Sequence, residues 1–150
     1  MNEISIIKKI QLGENCFSVE YYTSKLNFSF YCANGGIKHQ VVLSFETSYL
    51  LDSLLDSGLI NEKDLIENNV PKLKITDYHK GHFSYKYQIY NPINCNNTYL
   101  ILFEISEYRD YFSCFVPAVF QIEDNLYSIP EGHKTTFKAF HKLRTMSGAK

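Results

Sequence analysis

The chain has no tryptophan and, among 150 residues, only two arginines, Arg109 and Arg144. Arginine is the usual residue for bidentate contacts to phosphate and guanine. Its scarcity, with a net charge of −1, argues against direct nucleic-acid binding. Lys, Ile, Asn, Tyr and Phe are plentiful instead, the composition of an AT-rich bacterial or viral gene. No apolar run approaches the ~20 residues that a membrane span needs. Lys8 and Lys9 interrupt the first apolar segment too early for a signal-peptide core. The expectation is a cytoplasmic protein with no membrane partner. The four cysteines, Cys16, Cys32, Cys95 and Cys114, include no pair with the two-residue spacing of a metal knuckle or redox motif. They read as buried free thiols in a reducing compartment. His79 and His82 offer only half a metal site, with Asp77 as the nearest further ligand, so no metal or cofactor is expected. The seven glycines are scattered, and only Gly35 and Gly36 are adjacent. There is no phosphate-cradling loop, no His-Glu-x-x-His and no nucleophile elbow, which excludes the common enzyme superfamilies built on them.

What is present is a globular composition, 45% hydrophobic and 21% charged, rich in the aromatics that favour strands. The sharpest local signal is Asn34-Gly35 between two alternating runs. Both residues tolerate the positive φ of a two-residue type I′ turn. Pairing outward from Ala33 and Gly36 sets Cys32 opposite Ile37, Phe30 opposite His39, Phe28 opposite Val41 and Leu26 opposite Leu43. His39 is the one polar member of that row and reads as a hydrogen-bonded core residue.

Residues 3–45 read as four consecutive strands, with turns at 13–15 and 23–25, in an antiparallel meander with one buried face. Ile4, Ile6, Ile10 and Leu12 share one parity. The period changes over Glu46–Asn69, where Leu50, Leu51, Leu54 and Leu55 mark one helical face. Thr47 or Ser48 suits its start and Gly58 its end. Asn61 suits the cap of a second short helix ending before Pro71. Strands return after Pro71: Leu73 and Ile75 alternate, as do Phe83 to Ile89, and Thr98 to Ile105 reads as a central strand. Tyr108 to Val116 fits helix or strand. Residues 119–129 read as a hairpin, and Thr135 or Thr136 as the cap of a C-terminal helix carrying Phe137, Phe140 and His141. The whole is one α+β domain, 1–150. It has an antiparallel sheet, a central helical insert at about 46–69 and a C-terminal helix.

Charge is segregated. Glu46, Asp52, Asp56, Glu62, Asp64 and Glu67 face only Lys63 in their segment, whereas Lys134, Lys138, Lys142, Arg144 and Lys150 have no acidic neighbour after Gly132. Helix-dipole and amphipathic patterns alone produce such faces. The functional reading is an acidic helical face, Asp52, Asp56, Glu62, Asp64 and Glu67, that docks a basic protein partner. The expected class is a non-catalytic immunity or antitoxin-type inhibitor, with the nuclease type of toxin as target. A structural subunit, or a homodimer through exposed tyrosines, is a further reading.

The catalytic alternative rests on two His-x-Ser/Thr triplets, His82-Phe83-Ser84 and His133-Lys134-Thr135. They resemble the paired motifs of the 2H phosphoesterases, which hydrolyse 2′,5′ or cyclic phosphodiester bonds. The resemblance implies that His82 and His133 act as base and acid while Ser84 and Thr135 hold the phosphate. Gly81 and Gly132 stand where that family carries an apolar residue.

Overall fold

A computed structural model of the chain describes residues 4–20, 24–46, 48–72, 85–92, 95–108 and 111–123. The strands are β1 (Ile6–Lys9), β2 (Cys16–Glu20), β3 (Lys25–Tyr31), β4 (Lys38–Ser44), β5 (Tyr49–Leu50), β6 (Lys86–Tyr90), β7 (Thr98–Tyr108) and β8 (Tyr111–Ile122). Two short helices, α1 (Asp52–Asp56) and α2 (Glu62–Glu67), lie between β5 and β6. The described fold is thus mostly antiparallel sheet with two short helices. Among the described residues no helix is long and apolar enough to cross a membrane. The expected C-terminal helix, strand 73–75 and hairpin half 126–129 lie outside the described residues.

The central sheet runs β1-β8-β7-β6-β5, with β2 also on β8. Its spine is the long β7–β8 pair, registered from Thr98 opposite Ile122 to Tyr108 opposite Tyr111. Tyr108 to Val116 is therefore strand where described, and Val119 to Ile122 is the end of β8, paired with β7 and, at 120–122, with β1. Successive side chains of a strand point to opposite faces. Leu100 and Leu102 join Leu54, Leu65, Tyr85 and Tyr87 on the helix side, whereas Tyr99, Ile101 and Phe103 join the β3–β4 hairpin on the other. A central strand apolar on both faces is what burial on both sides requires, and it explains the near-continuous apolar run.

The N-terminal meander is corrected. β1 and β2 do not pair with each other; both run antiparallel to β8, end to end along its edge. β3 and β4 form a separate two-stranded sheet. Pro117 supplies the reason. It has no N–H to donate, so the edge ladder lapses there. The register of β8 on β7 also shifts by one between Leu102 and Glu104, so β8 holds an extra residue at Val116–Pro117. The neighbouring strand leaves β8 after Ile10 N–H meets Val119 C=O (2.8 Å) and returns where Asn15 C=O accepts from Val116 N–H (2.7 Å). Gly13 marks a detour in one direction, not a reversal. A second bulge, at Ile7, explains another departure: Ile4 and Ile6 pack on the helix side but Ile10 and Leu12 on the hairpin side, despite equal parity.

The β3–β4 register is the expected one: Leu26–Leu43, Phe28–Val41 and Phe30–His39 are opposed. Cys32 N–H donates to Ile37 C=O at 2.7 Å. The turn is not a two-residue type I′. Positive φ falls on Gly35 (79°) and Gly36 (84°), not on Asn34, and Gly35 N–H donates to Cys32 C=O (2.8 Å). Ala33 to Gly36 form a four-residue loop that closes on the same register.

In the helical segment, Tyr49 and Leu50 pair with β6 instead of starting the helix. α1 therefore begins at Asp52 with Leu51, not Ser48, at its N-cap position; Thr47 lies outside the described residues. Gly58 (φ 79°) follows its C-cap as expected. Asn61 caps α2 as expected, its side chain accepting from Asp64 N–H at 2.9 Å.

Candidate functional site

Two arrangements of chemistry-bearing residues stand out, one on each side of the sheet. On the helix side, Leu54 and Leu65 are fully buried and turn the opposite faces of α1 and α2 outward. Asp52, Asp56 and Glu62 are exposed and line one groove of about 490 Å³ with Leu55, Gly58, Ile60 and Asn61. The tight Gly58 turn brings the end of α1 next to the start of α2, so carboxylates ten residues apart in sequence share one concavity. Asp64 lies in the first turn of α2, half-buried, and Glu67 is exposed at its end beside Ile66, which is 56% exposed. The structure thus brings three of the five expected docking residues together; Asp64 and Glu67 sit outside the groove on the same helix.

On the hairpin side lies a polar cluster that spacing did not suggest. Cys32 directly follows β3, His39 sits near the start of β4, and Cys95 belongs to the loop before β7. Their ligand-capable atoms all lie within 4.8 Å of one another. Cys32 Sγ is 4.0 Å from Cys95 Sγ. Tyr99 Oη donates to Cys32 Sγ at 3.5 Å, lies 3.9 Å from Cys95 Sγ, and accepts from Ala33 N–H at 3.1 Å. Asn97 N–H donates to Cys95 Sγ (3.3 Å) and Asn97 Nδ2 reaches Cys32 Sγ (3.6 Å). Gln121 Nε2 holds Asn97 Oδ1 at 3.1 Å, so this donor is itself positioned by β8.

Cys32 and His39 are buried, and Cys95 is half-buried. Burial pushes the Cys32 thiol up, but the hydrogen bonds from Asn34, Tyr99, Cys95 and Asn97 outweigh it and leave the thiol below its ordinary value. Burial lowers His39, which favours the neutral imidazole. The ring packs against Phe30, Tyr90 and Tyr99, with centroids 5.5, 6.3 and 5.7 Å away. His39 is thus the core residue the sequence suggests, but not a satisfied one: its buried Nε2 has no hydrogen-bond partner. Chemically, this is a soft-ligand cluster with donors already aimed at both sulfurs. Two thiols and an imidazole this close together suit binding of an ion or a thiol redox change.

All four cysteines are free thiols. The expectation that all are buried fails for Cys16, which is exposed, and for Cys95. Tyr85, Tyr87 and Tyr99 are fully buried core residues, so the interface reading of the tyrosines does not extend to them. His79, His82, Ser84, His133, Thr135, His141 and the basic 132–150 segment lie outside the described residues. No known family model, curated protein or solved structure matches the chain.

Proposed function

We propose that the protein is a non-catalytic protein-binding module of the immunity or antitoxin type, cytoplasmic, which neutralises a basic toxin by docking it on the α1–α2 face. The supporting observation is the groove itself: Asp52, Asp56 and Glu62 come from two helices into one concave, exposed surface with Leu55 and Ile60 at its floor. Clustered carboxylates raise the encounter rate with a basic partner, while a partly apolar floor gives burial once contact is made. Asp64 and Glu67 extend the same field along α2.

The test is a pull-down from the native host, followed by stopped-flow association with the protein recovered. Charge reversal at Asp52, Asp56 and Glu62 together is expected to slow association by at least about tenfold at low salt and to flatten its salt dependence. An unchanged association rate removes the acidic face from the mechanism. Recovery of no protein partner at all removes the binding-module reading.

A further inference from the structure

We propose that Cys32, His39 and Cys95 form a structural site for a thiophilic divalent cation, with zinc(II) as its occupant. Two sulfurs and one imidazole are the donor types that zinc selects. With Zn–S bonds of about 2.3 Å, a tetrahedral site needs its sulfurs about 3.8 Å apart. Cys32 Sγ and Cys95 Sγ are already 4.0 Å apart, so the sulfur pair needs only a small inward movement, and the His39 ring nitrogen, within 4.8 Å of both, closes on them. The Tyr99 hydroxyl lies 3.5 and 3.9 Å from the two sulfurs, within reach of both as an outer partner.

Two further observations point to a cation rather than a packed core. His39 is 2% exposed, yet its Nε2 has no hydrogen-bond partner. Such an orphaned ring nitrogen is costly unless a partner reaches it. The donors from Asn97 and Tyr99 are aimed at the sulfurs, as outer partners of metal-bound thiolates are. One divalent cation also makes two thiolates and a neutral imidazole an electroneutral set. Binding releases the two thiol protons to solvent and changes no oxidation state. The ligands come from both strands of the hairpin and from the loop feeding β7, so the ion pins the hairpin to the sheet.

The test uses the full chain, without a histidine tag, reduced and stripped with chelator, then titrated with zinc(II) and with cobalt(II). The expected result is one equivalent bound, an intense sulfur-to-cobalt charge-transfer band, the visible absorption of a tetrahedral site, and a higher melting temperature with zinc. Cys95→Ser is expected to lose the band and weaken binding by more than about 100-fold, beyond the 10–100-fold cost of losing an outer partner such as Asn97. Cys16→Ser is expected to bind as wild type. Uptake no greater than that of an unrelated control protein overturns the proposal, as does a Cys95→Ser variant with undiminished affinity. A chain that takes up no cobalt but forms a Cys32–Cys95 disulfide on mild oxidation overturns it in favour of a redox pair. The wild-type titration needs no variant to fold.

Discussion

Gln88 is one of the few buried polar side chains in the described core, 2% exposed in the middle of β6. Its Oε1 accepts from Ser44 N–H at 2.7 Å and its Nε2 donates to Val42 C=O at 3.1 Å. One amide thus imitates a neighbouring strand and holds β4 against β6. Gln88→Ala deletes both bonds and leaves a void. A buried group that loses its partner costs about 1–3 kcal/mol; these two bonds are part-buried, and their loss together with the void gives about 2–5 kcal/mol. For a chain of this length that corresponds to a fall in melting temperature of roughly 5–15 °C. The assay is urea unfolding of the full chain, with hydrogen exchange at the Ser44 amide reporting the local effect. Gln88→Glu keeps the acceptor for Ser44 but turns a carboxylate toward Val42 C=O. It is expected to be destabilised at neutral pH and to recover in acid, when the protonated carboxyl donates again. A loss below about 0.5 kcal/mol for Gln88→Ala, with Ser44 still protected, would refute the reasoning that this amide joins the two layers.

Two further changes test the α2 cap beside the groove and a half-buried carboxylate of β7. Asn61→Ala removes the α2 cap and is expected to cost about 1 kcal/mol in urea unfolding, with faster exchange at the Asp64 amide; unchanged exchange there would remove the cap from the account of the groove. Burial raises the folded-state value of Glu104, so this group's contribution to stability is full below the ordinary carboxylate range and is lost as pH rises through its raised value. Glu104→Gln is therefore expected to unfold at higher urea than wild type at neutral pH, with the advantage vanishing in acid; equal midpoints at neutral pH would contradict the burial cause.

Much of the local structure was legible in the residues. Alternation fixed which side chains of β3 and β4 oppose one another, because a one-residue slip would turn Phe28, Phe30, Val41 and Leu43 to solvent. That constraint held even though the turn joining the strands has four loop residues rather than two. The Asn61 cap and the Gly58 terminator were legible for the same reason: each is decided by a backbone conformation that few residues favour. The acidic groove was half legible. Charge counting found its residues, but only the turn at Gly58 decided that Asp52, Asp56 and Glu62 share a concavity.

Strand pairing was another matter. Periodicity shows that residues 6–9 and 16–20 are strands, but not that both lie on β8, because hydrogen-bonded neighbours here are about 100 residues apart. Bulges at Ile7 and beside Pro117 then reverse the facing that parity implies. The thiol–imidazole cluster follows the same logic. Metal motifs are recognised in sequence when ligands come from one turn or knuckle, and Cys95 is 63 residues from Cys32. What the sequence by itself determined was local: the hairpin register, the helix ends, and the scarcity of arginine and nucleotide-binding loops. Only the tertiary structure decided that β7 is buried on both faces, that β1 and β2 lie end to end, and that Cys32, His39 and Cys95 meet. The reason is physical: propensity and periodicity act within a few residues, whereas these features depend on which distant surfaces find one another when the core closes.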